Sequence, residues 1–307
     1  MGRHVNAMKQ DFRSLIFAPA DAPLRLARAL NSRADVLLLD LEDMVAFENK
    51  AQARAAAAVF LHETMSREDA PRILVRVNSL ESGMIDADLD AIMPGRPHGI
   101  MLPKSRSGMD VQHLAAKLAV QEAENDLPDG STRILPLVTE SGAAIFGLST
   151  YARASHRLVA LAWGVEDLAA DIGAEDSRNE DGGWSEPFAL VRHLTLFAAA
   201  AAGVPAIDTV FRDFGDIDGL RHEAQQALAD GFAAKLAIHP DQVATINHVF
   251  TPNGETLARA EAIVAAFSSR GDAPFVSIEG HIFDRKQLAR AQRIVARAAR
   301  ADQPPAA

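Results

Sequence analysis

The chain has 307 residues, enough for one large domain or for a barrel with a short appendage. Hydrophobic residues make up 48% and charged residues 23%, an ordinary balance for a globular enzyme, while aromatics are only 6%, so the core must rest on Ala, Leu, Val and Ile. A net charge of −10 argues against nucleic acid as the main partner, and the absence of cysteine rules out disulfides, thiolate metal sites and cysteine nucleophiles.

Residues 1–12 are polar and lack the apolar core of a signal peptide, which predicts a short disordered arm. No run approaches the ~20 apolar residues of a membrane span, and the expected location is the cytoplasm. Eight short apolar runs follow: Ser14–Ala18, Val36–Leu39, Ile73–Val77, Gly99–Leu102, Ile134–Thr139, Leu158–Trp163, Ile207–Phe211 and Lys235–Ile238. They are continuous and not alternating, as in strands buried on both faces. Segments of helical period lie between them, at Pro23–Asn31, Met109–Asn125, Pro187–Ala202 and Leu220–Asp230, with Gly203 and Gly231 placed to stop two of them. This repetition predicts a (β/α)8 TIM barrel over 13–251, with an open doubly wound sheet as the alternative. Beyond Pro252 the pattern predicts a helix at Glu255–Ser268, an extended stretch at Ala273–Phe283 broken by Gly280, and an amphipathic helix at Asp284–Arg300. Residues 252–307 are too few for a second domain. They form an expected C-terminal helical arm that packs on the barrel or on a neighbouring subunit, with a frayed tail after Arg300.

In such barrels the chemistry sits at the C-terminal ends of the strands. Asp40, Glu42 and Asp43 follow the second run, Arg76 lies in the third, Lys104 ends the fourth, Glu140 ends the fifth and Asp167 follows the sixth. Glu140 and Asp167 come from adjacent repeats. Two carboxylates brought close repel unless a cation lies between them, and oxygen-only ligation with open positions suits magnesium, with manganese as a substitute. The competing reading makes both acids helix caps or first-turn residues stabilised by the helix dipole. Burying Arg76 is costly unless it is paired, so it either faces a substrate carboxylate or makes a structural salt bridge to Asp40, Glu42 or Asp43. His239 reads as a hydrogen-bonded structural residue, and nothing marks Lys104 as a desolvated Schiff-base lysine.

Several motifs occur in order: Arg13-Ser14-Leu15-Ile16-Phe17-Ala18-Pro19-Ala20, Leu39-Asp40-Leu41-Glu42-Asp43-Met44-Val45, Arg76-Val77-Asn78, Leu102-Pro103-Lys104, Glu140-Ser141-Gly142, Gly164-Val165-Glu166-Asp167-Leu168, Asp208-Thr209-Val210 and Ile238-His239-Pro240. Together they resemble the citrate lyase β-subunit-like (HpcH/HpaI aldolase) family, which includes malyl-CoA and citramalyl-CoA lyases, from about Arg13 to Val295. The resemblance implies a (β/α)8 barrel assembled as a homotrimer or hexamer, with one magnesium ion on Glu140 and Asp167. It implies that Arg76 binds the substrate carboxylate, Glu140 also faces substrate, and CoA lies near Arg25 and Lys50. Ile278-Glu279-Gly280-His281-Ile282-Phe283-Asp284 is similar to an arm that covers a neighbouring active site, with Asp284 as the carboxylate it delivers. The loop Ala174–Pro187, with Asp176, Glu180, Asp181 and Trp184, is more acidic than expected beside an anionic substrate.

The resemblance therefore implies a magnesium-dependent carbon–carbon lyase that splits or forms a 3-hydroxyacyl-CoA thioester such as malyl-CoA or citramalyl-CoA, with a 2-oxo acid as the other partner. Thioesterase or malate-synthase activity on the same esters, a CoA-independent oxo-acid aldolase, and a non-catalytic protein on an inherited barrel are the alternatives.

Overall fold

The computed structural model describes residues 12–67 and 72–301. Its elements run β1 (Ser14–Pro19), α1 (Pro23–Leu30), β2 (Val36–Asp40), α2 (Lys50–Met65), β3 (Arg72–Arg76), α3 (Ile85–Ile92), β4 (Gly99–Leu102), α4 (Gly108–Glu124) and β5 (Arg133–Pro136). They continue with α5 (Gly142–Gly147), β6 (Leu161–Ala162), α6 (Glu166–Ile172), α7 (Glu186–Ala202), β7 (Ala206–Asp208), α8 (Ile217–Asp230), β8 (Ala234–Ala237) and α9 (Pro240–Phe250).

The eight strands form one parallel sheet in the order β5-β4-β3-β2-β1-β8-β7-β6. Its two edges meet through parallel bridges Ile134–Leu158 and Leu137–Ala162, with Val138 N donating to Ala162 O at 3.0 Å, so the sheet closes into the expected (β/α)8 barrel. The sixth run pairs as a full strand only at Leu161–Ala162, although Leu158 still reaches β5 through its bridge.

The continuous apolar runs now have a direct cause. Leu15, Phe17, Val36, Leu38, Leu74, Met101, Leu135 and Leu236 point into the barrel and pack on one another. Their neighbours Ile16, Leu37, Leu39, Ile73, Val75, Ile100 and Ile134 point outward beneath the helices. Both faces are dry, so alternation disappears from the sequence. Phe12, expected as the last residue of the N-terminal arm, belongs instead to the barrel: it is 5% exposed and packs in the interior cluster, since an aromatic ring beside β1 gains more from burial there than from solvent. Residues 1–11, the rest of that arm, and 302–307, most of the expected frayed tail, lie outside the described residues.

Between β7, β8 and helices α7 and α8 lies a buried ionic network. Lys235 and Asp208 are register partners on β8 and β7. The Lys235 ammonium is fully buried and donates to Asp208 Oδ2, Thr209 O and Glu223 Oε1, each at 2.8 Å. Arg192 and Trp163 Nε1 donate to Asp208 Oδ1. Burial pushes the Asp208 carboxyl up, but Lys235 and Arg192 outweigh it and hold the group below the usual carboxylate range.

The C-terminal segment folds as α10 (Gly254–Arg270), β9 (Phe275–Ile278), β10 (His281–Asp284) and α11 (Arg285–Ala301). The break expected at Gly280 is a tight hairpin turn, with Glu279 and Gly280 at φ of 50° and 80° between the antiparallel strands. This unit has its own small core of Ala260, Ile263, Phe267, Val276, Phe283 and Ala291. On the other face of the hairpin Phe275 sits opposite Asp284 and is 59% exposed, while the neighbouring Ile282 is 69% exposed.

Lys235→Met removes the cation from a buried pair of carboxylates and is expected to cost about 3 kcal/mol. Urea denaturation measures it; a loss below about 1 kcal/mol would show that Arg192 on Asp208 and Arg178, 2.6 Å from Glu223 Oε2, hold these acids without Lys235.

Candidate functional site

The strand ends place their charged residues at one mouth of the barrel. Along β2 the inward positions Val36 and Leu38 lead to Asp40, and along β3 Leu74 leads to Arg76, so the two meet as register partners above the apolar interior. Arg76 Nε and Nη2 donate to the two carboxylate oxygens of Asp40 at 2.6 and 2.7 Å, and Nη1 lies 3.1 Å from Glu42 Oε2. The guanidinium also lies over the Phe17 ring, 4.7 Å from its centroid. Asp40 is completed by the backbone N–H groups of Glu42 and Met44. Of the partners open to Arg76, then, the structure shows Asp40 and Glu42, and the guanidinium keeps further N–H donors beyond these bonds.

Glu140 and Asp167 are drawn together by a reciprocal clasp. Thr139 Oγ1 donates to Gly164 O at 2.9 Å and accepts from Gly164 N at 3.0 Å, tying the end of β5 to the end of β6. Gly164 leaves room here, since a Cβ at that position would lie 3.1 Å from Glu140 Cγ and the Glu140 side chain would have to shift. Glu140 is not a helix cap: Ser141 caps α5, accepting from Ala144 N, while a Glu140 carboxylate oxygen accepts the backbone N–H of Lys104. Burial, with the charges of Glu42 and Asp167 adding to it, pushes the Glu140 carboxyl up to about 8 against the opposing Lys104 bond and Arg76. Asp167 does lie in the first turn of α6, as the capping alternative proposed, yet its Oδ2 is buried without a hydrogen bond.

Glu42 and Lys104 complete the cluster, and neither stood out in the sequence as a site residue. Both Glu42 carboxylate oxygens are buried without a directed hydrogen bond, and burial pushes this carboxyl up as well. The Lys104 ammonium lies 2.9 Å from Glu42 Oε1, 3.4 Å from Asp43 Oδ1 and 3.4 Å from Asp167 Oδ2. Burial lowers its proton affinity, but the surrounding carboxylates outweigh that and hold the ammonium well above the usual lysine range. The signal for Glu42 was present in the spacing Asp40-Leu41-Glu42, which continues a strand's two-residue period past the last apolar residue.

Buried carboxylate oxygens that lack hydrogen bonds, grouped around Glu140, fit a hard divalent cation bound through one or two carboxylates with positions left for water and ligand. Among the described residues no three acidic, cysteine or histidine side chains group as a metal site by themselves.

The other expected site residues lie apart. Arg25 is exposed on the first turn of α1. Lys50, at the start of α2, donates from its ammonium to Leu41 O and Glu42 O, both at 2.7 Å, and so braces the end of β2. Asp284 is exposed and caps α11: its Oδ1 accepts from Lys286 N and Gln287 N at 2.9 Å, and its own N–H donates to Gln287 Oε1. His239 caps α9 together with Gln242, in line with a structural role. The acids of the loop after β6 are exposed, and Asp176 and Asp181 serve its turns by accepting from Arg178 N and Gly183 N. Arg178 pins that loop through Glu223 at 2.6 Å and by stacking on Trp184.

The same fold and chain length recur in proteins of known name. The chain is 34% identical over 286 residues to a citrate lyase subunit beta-like protein of Mycobacterium tuberculosis, covering 93% of this chain and 95% of that one. It is 32% identical to an L-malyl-CoA/beta-methylmalyl-CoA lyase of Cereibacter sphaeroides, covering 93% and 94%. The crystal structure of CitE from Mycobacterium tuberculosis in complex with magnesium, acetoacetate and coenzyme A superposes with a TM-score of 0.73 at 32% identity, over 94% of this chain and 98% of that one. Residues 13–240 match the HpcH/HpaI aldolase/citrate lyase family, and the chain belongs to it.

Proposed function

We propose that this chain is a magnesium-dependent carbon–carbon lyase that cleaves or forms a 3-hydroxyacyl-CoA ester of the malyl-CoA or citramalyl-CoA type, with a 2-oxo acid as the second partner. The observation that carries the reading is the set of buried carboxylate oxygens of Glu42 and Asp167, ion-paired to Lys104 and Arg76 but without a directed hydrogen bond, beside Glu140 at the mouth. Relatives that cover nearly the whole chain support it: one is named a malyl-CoA lyase, and another was crystallised with magnesium, acetoacetate and coenzyme A.

Glu140 and Asp167 would hold the ion, with Glu42 behind them. A divalent ion there supplies positive charge to the oxygens of an oxo acid or of its hydroxy adduct. Arg76, fixed by Asp40, presents its remaining N–H donors to the carboxylate or to the enolate oxygen. Because Asp40 and the backbone predefine its orientation, little reorganisation is needed when substrate arrives. Asp284, delivered by the arm of a neighbouring subunit, would give a proton to the enolate carbon in cleavage while the carbinol hydroxyl proton passes to solvent water, and the reverse in condensation. The outward hairpin face, with Phe275 and Ile282 exposed around Asp284, suits docking over a second barrel in a homotrimer or hexamer. Arg25 and Lys50 are placed on the first two βα units, the side assigned to CoA. Only one further donor of Lys50 is free for a phosphate beyond its two carbonyl bonds.

Incubation with malyl-CoA and citramalyl-CoA in the presence of Mg2+, assayed for oxo acid and for free thiol, tests the reaction. Oxo acid without free thiol is expected; free thiol alone would make the chain a thioesterase. Glu140→Gln and Asp167→Asn should each lower kcat/KM by at least about a thousandfold, within the range lost when a main electrostatic group is removed. Since only the ionised Glu140 binds a cation, Mg2+ affinity should rise with pH until about 8 and level off above it, which calorimetry at several pH values would measure. Arg76→Ala and Asp284→Ala should each be inactive alone, yet regain activity when the two are co-refolded into mixed oligomers; no recovery would place Asp284 outside the neighbouring site.

A further inference from the structure

Lys104 is held in an unusual way. It lies in the turn two residues past β4 with φ at 53°, in the left-handed region, where a non-glycine residue costs of order 1 kcal/mol or more. That backbone twist has two results. It aims the Lys104 N–H at the Glu140 carboxylate, and it sends the side chain across the mouth, away from the β4 interior position at Met101. The ammonium then touches three carboxylates from two other repeats, Glu42 and Asp43 after β2 and Asp167 after β6. Two of those oxygens, Glu42 Oε1 and Asp167 Oδ2, are the buried ones with no directed hydrogen bond, so Lys104 lies beside them without saturating them.

We propose that Lys104 is a built-in monovalent counter-ion that shares the carboxylates of the metal site and is displaced when a divalent cation binds. This rests on the metal site proposed above and adds a role for a residue outside its ligand set. A lone ammonium neutralises one of several carboxylates, whereas a divalent ion neutralises two, so the cluster prefers the metal where it is present. Lys104 keeps the barrel mouth intact where it is not. The side chain is 40% exposed on a flexible stem, so it can leave without breaking the fold. A small cavity lined by Ser79, Glu81, Lys104, Arg106 and Asp110 adjoins it.

Mn2+ titration followed by electron paramagnetic resonance, on the wild type and on Lys104→Met, tests the proposal. Removing the competing charge should tighten Mn2+ binding by at least about tenfold. Equal or weaker binding in the variant overturns the counter-ion role and leaves the metal site standing; no Mn2+ binding by the wild type overturns both. A second measurement needs no substitution. Acetic anhydride labelling of the wild type, read by peptide mass spectrometry, should modify Lys104 faster with Mn2+ than with chelator, and slower or unchanged labelling overturns the proposal.

Discussion

The barrel mouth gathers more negative charge than its own cations can match. Asp40, Glu42, Asp43, Glu140 and Asp167 converge there, whereas among the described residues Arg76 and Lys104 pair with these carboxylates and Lys50 lies beside them on the Glu42 carbonyl. Asp40 is satisfied by a two-point bond to Arg76 and by backbone N–H groups, so the surplus falls on Glu42, Glu140 and Asp167. Buried like charges are tolerated only if one takes a proton or a cation enters. The elevated Glu140 carboxyl reflects the first course, and the CitE structure crystallised with magnesium holds an ion of the kind the second requires.

Much of the surrounding structure serves that concentration of charge. The closed sheet aligns the strand ends, and the Thr139–Gly164 clasp sets the spacing of the two acids on β5 and β6. The Lys235–Asp208 network lies on the opposite side of the sheet, beneath α7 and α8, and Trp163 and Arg178 extend it to the loop after β6. The C-terminal unit contributes differently. Its apolar cluster is self-contained, and the face it leaves exposed is the one that carries Asp284 between apolar side chains.

The architecture was legible in the sequence because strands dry on both faces read as apolar runs whatever their neighbours, and eight of them at regular intervals leave few alternatives. Helices were less legible where amphipathicity was weak. α2 buries Ala53, Ala57 and Leu61 along an alanine-rich surface that carries little contrast between its faces. Asp40 and Arg76 could be named as a possible pair, but which carboxylate wins depends on cross-strand register, and register is a tertiary property. Glu140 and Asp167 were legible as candidates because one ends an apolar run and the other follows the next. Lys104 was set aside, since flanking Pro103 and Ser105 say nothing about a left-handed backbone that throws the side chain across to Glu42 and Asp167. Phe12 was assigned to the arm because a single aromatic beyond polar residues gives no hint of a barrel interior to fill.

The central claim is that one divalent ion sits between Glu140 and Asp167. Anomalous diffraction from a crystal grown with Mn2+ and an oxo acid measures this directly. The expected result is one strong peak about 2.2 Å from a carboxylate oxygen of each residue, with the acid bound to the same ion and its carboxylate within reach of Arg76. A peak elsewhere, or none while Glu140 and Asp167 keep the positions described, would contradict it.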